Sequence, residues 1–136
     1  MTFPFVDSSL GYLGGSEDHY TQHIGAGVDL WDTASPAYGQ NGTYSAFLYT
    51  SRSVHIIEEH AAKYQGQGLF LYVALAVTHE PEQAPDRFID LYPVDWVLGR
   101  RQYNGMASAV DESALNITAA LRRNGLWDST LFVYSR

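Results

Sequence analysis

Residues 69–76 read Leu-Phe-Leu-Tyr-Val-Ala-Leu-Ala, and the polar stretch Gly66-Gln67-Gly68 precedes them. An uninterrupted apolar run of this length is typical of a strand covered on both faces, as in a parallel sheet with helices on either side. Each large side chain in such a strand contributes about 1.5–3 kcal/mol when fully buried. The sequence therefore predicts that a strand over residues 69–76 forms the centre of the core.

A helix and a second strand are predicted after this run. Apolar side chains recur at steps of three and four residues, which predicts a helix over residues 100–123. Its apolar face comprises Tyr103, Met106, Ala107, Val110, Ala114, Ile117 and Leu121. The pair Asn124-Gly125, after two arginines, is typical of a helix C-terminus. Residues 130–134 then predict a short strand parallel to strand 69–76, because the intervening crossover is long enough.

One further helix is predicted before residue 69. It spans residues 44–62, where one face carries Phe47, Leu48, Val54, Ile57 and Ala61. Glycines interrupt every periodic pattern within residues 1–43, which we therefore predict to be a surface loop. The expected fold class is α/β, with helices 44–62 and 100–123 packed on a sheet of parallel strands 69–76 and 130–134.

Composition narrows the possible functions. The 136 residues are 46% hydrophobic, which suffices for one domain with a packed core. Fifteen acidic and eight basic residues give a formal charge of −7, which disfavours nucleic acid and anionic membranes as partners. No apolar run approaches the roughly 20 residues of a membrane span, and residues 1–7 lack the pattern of a signal peptide. The absence of cysteine excludes a thiol nucleophile and zinc–thiolate sites.

His79 is the best placed candidate for chemistry. It follows the predicted strand 69–76, and open α/β sheets bind ligands beyond the carboxyl ends of their strands. An imidazole at this place could donate a hydrogen bond to an anion or transfer a proton near neutral pH. The alternative is that His79 only ties its loop to the strand through a backbone hydrogen bond.

The remaining polar motifs give weaker signals. His19 and His23 are spaced like a metal pair on a helix, but the nearby glycines argue for a surface loop. Glu17-Asp18 could reach a pocket rim, although a turn in which acidic side chains cap amides explains the pair better. Asn41 and Asn116 each begin an Asn-x-Thr sequon, and Asn116 lies opposite the predicted apolar face, so it should face solvent.

Four motifs occur in one order along residues 11–135 and together resemble the type I sulfatases, most closely the enzymes similar to arylsulfatase B. The motifs are residues 11–20, residues 69–81 with the stretch Thr78-His79-Glu80-Pro81, residues 101–106 and residues 125–135. The resemblance implies an alkaline-phosphatase-like α/β fold and hydrolysis of sulfuric esters at a calcium ion, with a formylglycine nucleophile made from cysteine. It also implies that His79 contacts the sulfate group and that Asn116 is a glycosylation position.

The chain departs from this family at the nucleophile and at the metal ligands. The Cys-x-Pro-x-Arg nucleophile motif is missing, and the nearest pattern, residues 83–87, has Gln83 in place of the nucleophile, so we interpret it as a coincidence. The calcium ligands of the family lie outside the matching stretches. We therefore expect residues 1–136 to be an internal segment of a sulfatase catalytic domain that is inactive alone.

The resemblance implies a sulfated small molecule or glycosaminoglycan as the partner of the parent family, and a lysosomal or secreted location. The alternative is a non-catalytic remnant that binds a sulfated glycan or a protein partner. A third possibility is that the chain does not fold stably, because two strands alone would leave open edges.

Overall fold

The computed structural model describes residues 6–135 of the chain. Short strands occupy its N-terminal part: β1 (Leu10–Tyr12), β2 (His23–Ile24), β3 (Gly27–Val28), β4 (Leu30–Asp32) and β5 (Ser35–Pro36). Helices follow: α1 (Ser45–Lys63), α2 (Asp86–Ile89) and α3 (Leu98–Arg123), and a 3-10 helix spans Trp127–Ser129. The long helices therefore lie in the middle and the second half of the chain.

The predicted helices 44–62 and 100–123 are confirmed as α1 and α3. Two arginines occupy the last turn of α3, where positive charge is favourable for the helix dipole. Gly125 follows with a φ of +68°, in the left-handed region that glycine adopts without steric cost. The signals that end this helix are therefore local, and the sequence carries them completely.

The buried face of α3 differs from the predicted face. It comprises Gly105, Met106, Ala109, Ser113, Ile117, Ala120 and Leu121. Tyr103, by contrast, is 49% exposed. A Cβ atom on Gly105 would stand 3.1 Å from Ala84 Cβ and 3.2 Å from the Ile89 nitrogen. Small residues thus let the chain around α2 approach α3 closely. Because small residues contribute little to an apolar pattern, the pattern did not predict this face.

Two apolar clusters join the helices to the rest of the chain. The first contains Tyr44, Ala46, Val77, Ala84, Phe88, Ile89, Met106 and Ala109, with Leu75 packed against it. The second contains Ile57, Ile117, Ala120 and Leu121, with Leu71 and Val73 packed against it. Both clusters bring α1 and α3 together, and segment 69–77 contributes to both.

The prediction of a central strand at residues 69–76 is wrong, because this segment forms no strand in the structure. Leu71, Val73 and Leu75 are partly buried against the helices, whereas Phe70 and Tyr72 are 82% and 80% exposed. A strand needs a neighbouring strand to receive its backbone hydrogen bonds. Within residues 6–135 no segment pairs with it, so only one face of the run is covered.

The predicted strand 130–134 is also absent, and with it the parallel pairing. Every residue of this segment is exposed, and Leu131 is 89% exposed. Phe132 contacts Trp127 at a ring-centroid distance of 6.1 Å, which ties the segment to the 3-10 helix. The pairings that do occur in the described part of the chain are antiparallel.

The prediction of a surface loop over the first 43 residues is wrong for the part that the structure describes. Strands β1, β4 and β5 form one antiparallel sheet, and β2 pairs with β3 in another. Leu30 of β4 is fully buried. Strands of two or three residues are too short to produce a readable alternation, so only their pairing reveals them.

Candidate functional site

His79 lies in the loop that connects the partly buried segment 69–77 to α2. Its side chain is exposed, and Nδ1 lies 2.9 Å from the Glu80 carbonyl oxygen. A carbonyl oxygen only accepts, so Nδ1 donates this hydrogen bond and carries the proton of the neutral ring. Nε2 is then left as the atom that can accept a proton and afterwards donate to an anion. This hydrogen bond lies within the loop and does not tie it to segment 69–76, so a contact of His79 with sulfate stays a prediction.

The turn at residues 16–22 packs against the His79 loop. Asp18 Oδ1 accepts hydrogen bonds from the backbone N–H groups of Tyr20 and Thr21 and from the Thr21 hydroxyl. Burial raises the pKa of Asp18, but hydrogen bonds from Gln83, Thr21 and Tyr20 outweigh it and lower the pKa to about 2. The expectation that acidic side chains cap amides here is therefore confirmed for Asp18.

Glu17 differs from its neighbour because its side chain is turned inward. The residue is only 3% exposed, and Oε1 has no hydrogen-bond partner among the described residues. Burial raises the pKa of Glu17 to about 7, and the charges of Asp29 and Asp18 act in the same direction. The Tyr49 hydroxyl is close enough to lower this pKa slightly, yet it does not reach hydrogen-bonding geometry. Folding therefore favours the neutral form of the Glu17 carboxyl group.

The surface-loop prediction for His19 is wrong, because the residue is buried. Its Nδ1 lies 2.8 Å from Ser45 Oγ, and its Nε2 lies 3.3 Å from the His79 carbonyl oxygen. Burial lowers the pKa of His19, although the carbonyls of His79 and Pro81 and the charge of Asp18 oppose this. His23 belongs to β2, and the absence of a helix there agrees with the prediction.

Gln83 joins the two loops. Its Oε1 accepts a hydrogen bond of 2.8 Å from the His19 backbone, and its Nε2 donates one of 2.7 Å to Asp18 Oδ2. The Tyr44 hydroxyl donates to the Gln83 carbonyl at 2.9 Å. An amide that bridges two backbone segments fits a structural role, which agrees with the interpretation of residues 83–87 as a coincidental motif.

An open cavity of about 390 Å³ lies beside the His79 loop and is lined by Ser16, Glu80, Pro81 and Glu82. Its two carboxyl groups make the rim acidic, which opposes binding of an anion by this rim alone. Across residues 6–135, no three His, Asp or Glu side chains come together in a way that could hold a metal ion. Calcium takes six to eight oxygen ligands, so this part of the chain does not offer it a complete site.

The two sequon asparagines are both exposed. Asn41 lies in the turn before α1, and Asn116 lies on α3. The prediction that Asn116 faces solvent is therefore confirmed. Asn116 also borders a cavity of about 360 Å³ between α1 and α3, together with Phe47, Arg87 and Arg123.

Sequence reasoning did not identify His19 and Gln83 as the residues that support the His79 loop, and it did not identify Glu17 as buried. His19 and Gln83 are 64 residues apart, and no local pattern relates them. The one available signal was the density of polar residues next to Gly14-Gly15, because glycine-rich turns often direct side chains inward at functional loops.

In the described part of the chain, no helix is long and apolar enough to cross a membrane.

The chain matches no family model. It is 36% identical to arylsulfatase J of Mus musculus over 135 residues, which is 95% of this chain and 22% of arylsulfatase J. Its fold is similar to the crystal structure of Ps i-CgsB in complex with k-i-k-neocarrahexaose, with a TM-score of 0.77 and 21% identity over 90% of this chain and 30% of that chain. A second crystal structure of Ps i-CgsB gives a TM-score of 0.76 and 22% identity over the same shares.

The chain thus spans about a fifth of the length of the curated relative that it matches. The likeness to Ps i-CgsB shows a shared fold, with mixed helices and strands. The match to arylsulfatase J extends over nearly the whole chain. This homology supports the placement of the chain in the sulfatase family.

Proposed function

We propose that residues 1–136 are a segment of a sulfatase catalytic domain and that His79 is the residue by which this segment contacts the sulfate group of a sulfuric ester. The closer kinship with enzymes similar to arylsulfatase B is part of this proposal. The observation that carries it is the exposed His79 imidazole, whose backbone carbonyl oxygen accepts a part-buried hydrogen bond from the buried His19. The homology with arylsulfatase J supports the reaction class.

The chemistry of His79 follows from its hydrogen bonds. Because Nδ1 donates to the Glu80 carbonyl, protonation of the ring adds a hydrogen at Nε2. The imidazolium can then donate from Nε2 to a sulfate oxygen and place a positive charge beside the anion. The acidic groups of Glu80 and Glu82 nearby weaken this attraction, so we expect millimolar affinity for a simple sulfate ester.

Other features of the parent protein belong to the same proposal. A formylglycine nucleophile and a calcium ion would come from parts of a sulfatase outside these residues, and calcium would serve there to bind the ester. The parent protein is proposed to act in the lysosome or after secretion, with Asn116 and Asn41 as glycosylation sites. Its substrate would be a sulfated small molecule or a glycosaminoglycan.

Titration with 4-nitrophenyl sulfate tests the contact at His79. The titration is done near pH 6 on a chain labelled with ¹⁵N-histidine. As the ester is added, the Nε2 resonance of His79 is expected to shift with a midpoint at a millimolar ester concentration, while the resonances of His55 on α1 stay in place. The variant His79→Ala should bind the ester at least about fivefold more weakly. Equal affinity of this variant and the wild type would contradict the proposed contact.

The isolated chain is expected to show no turnover of 4-nitrophenyl sulfate in the presence of calcium, because an imidazole alone supplies neither the nucleophile nor the metal ligands. Release of 4-nitrophenol is followed by absorbance, with His79→Ala as the control for background hydrolysis. Turnover that depends on His79 would contradict the proposal that the catalytic centre is incomplete in this segment.

The second candidate is a non-catalytic remnant that binds a sulfated glycan or a protein partner. It is favoured by one observation, the likeness of fold to a protein crystallised with k-i-k-neocarrahexaose. Calorimetric titration of the chain with this oligosaccharide separates the two candidates. Binding at micromolar concentration without contribution from His79 would favour the remnant.

A further inference from the structure

His19 is buried between the beginning of α1 and the His79 loop. On one side Ser45, the first residue of α1, presents its hydroxyl oxygen 2.8 Å from His19 Nδ1. On the other side the His79 carbonyl oxygen lies 3.3 Å from His19 Nε2. The imidazole thus spans from the beginning of α1 to the backbone of the residue proposed to contact sulfate.

The partners of the two ring nitrogens determine the tautomer of His19. The His79 carbonyl oxygen can only accept, so Nε2 must carry the hydrogen. In the neutral ring Nδ1 then has a lone pair, which accepts the hydrogen of the Ser45 hydroxyl. The Ser45 hydroxyl, which can donate or accept, therefore supports the form of His19 that the His79 carbonyl selects, in the way that a second partner orients a histidine ligand or base.

The backbone of the His79 loop needs such support. Thr78 has a φ of +77°, which is rare for a β-branched residue and costs energy that the surroundings must offset. The His79 N–H donates to the Ala76 carbonyl at 3.2 Å, which is a long hydrogen bond. Because local interactions favour a different backbone conformation, contacts from outside the loop must maintain the observed one.

A second anchor acts beside the first. The Gln83 side chain binds the His19 backbone and the Asp18 carboxylate, and the Tyr44 hydroxyl binds the Gln83 carbonyl. The rings of His19 and Tyr44 also contact each other, with centroids 5.7 Å apart. These contacts fix the position of His19. Of the His19 ring atoms, Nε2 is the one that contacts His79, through the His79 carbonyl oxygen.

We infer that His19 is a positioning residue: its buried Nε2–H holds the His79 carbonyl and thereby keeps the His79 imidazole in the orientation that meets the sulfate group. This inference rests on the proposed function of His79. It assigns His19 no contact with the substrate, because His19 is buried and its ring nitrogens face Ser45 and the His79 backbone.

The test compares three substitutions of His19 and Ser45 by hydrogen exchange at the His79 amide and by titration with 4-nitrophenyl sulfate. His19→Phe removes the donor while it keeps a ring, and we expect about tenfold faster exchange and an affinity that falls toward that of His79→Ala. His19→Gln offers an amide N–H near the place of Nε2 and should restore most of the protection. Ser45→Ala removes the hydroxyl that donates to His19 Nδ1, so the ¹⁵N shift of Nδ1 should change while Nε2 keeps its hydrogen, and exchange should rise to an intermediate rate. His55→Phe, at an exposed histidine of α1, is the matched control and should change neither measurement.

The outcomes separate the inference from the proposed function. Unchanged exchange in folded His19→Phe would overturn the inference, and so would an equal effect of His55→Phe. If His19→Phe does not fold, Ser45→Ala decides, since an unaltered Nδ1 shift and unaltered exchange contradict the arrangement. If the wild-type His79 resonance does not respond to 4-nitrophenyl sulfate, the proposed function fails, and the exchange measurements alone decide whether His19 holds the loop.

Discussion

Replacing Met106 with alanine is expected to lower the free energy of unfolding by about 2–5 kcal/mol. Met106 lies on α3, is fully buried and belongs to the apolar cluster that contains Phe88 and Ile89 of α2. Truncation removes apolar area from the core and leaves a cavity that closely packed neighbours fill only in part. Urea denaturation followed by circular dichroism measures the change.

Leu115→Ala on the same helix is the matched control for this substitution. Leu115 is exposed, so its truncation should change the free energy of unfolding by less than about 0.5 kcal/mol. A loss below 1 kcal/mol for Met106→Ala, or equal losses at both positions, would show that α3 does not pack on the chain through the face described above. The pair therefore tests whether this segment has a specific core when it is isolated.

The second large effect is expected at Glu17, where folding stability should depend on pH. Burial raises the pKa of Glu17 from 4.5 to about 7, so the folded chain favours the neutral carboxyl group. The stability contributed by this preference is fully present below about pH 4.5 and is lost as the pH rises through 7. The difference between the two pKa values corresponds to about 3 kcal/mol.

Two neighbouring groups have pH dependences of their own. The lowered pKa of His19 contributes stability that is present above its ordinary value of 6.5 and is lost as the pH falls, which opposes the effect of Glu17. The pKa of Asp18, lowered from 3.8 to about 2, gives stability that is fully present above its ordinary value and is lost as the pH falls through about 2. Glu17 must therefore be isolated by comparing a variant with the wild type at each pH.

Glu17→Gln keeps the shape of the side chain and removes its titration. Relative to the wild type, this variant should gain about 3 kcal/mol of stability between pH 4 and pH 8, measured by urea denaturation at both values. Glu82→Gln, at an exposed glutamate of the cavity rim, should follow the wild type. A stability difference between Glu17→Gln and the wild type that is the same at both pH values would refute the assignment of a buried, neutral carboxyl group.

The helices could be predicted from the sequence because their signals are local. The 3.6-residue period of α1 and α3, the arginines of the last turn and Gly125 all act within a few residues of each other. The turn chemistry of Asp18 is local in the same sense, since its amide partners are two and three residues away. The placement of His79 after an apolar run needed only the order of the chain.

The strands and the support of the site could not be predicted because they depend on partners distant in sequence. An apolar run such as residues 69–76 becomes a strand only where another strand receives its hydrogen bonds, and none of the described residues does so. Strands β1 and β4 pair across an intervening hairpin, with Gly11 opposite Trp31. Which face of α3 is buried likewise depends on how closely the chain around α2 can approach Gly105.

Sequence alone thus determined the two long helices, the acidic character of the chain, the lack of a thiol nucleophile and the candidate imidazole at His79. Tertiary structure decided that His19 and Glu17 lie inside, that Gln83 joins the turn at residues 16–22 to the His79 loop, and that residues 69–76 have no strand partner among residues 6–135. The physical reason is the sequence distance over which each property arises. Helix propensity and charge are properties of neighbouring residues, whereas burial, strand pairing and a shifted pKa arise only when distant segments meet.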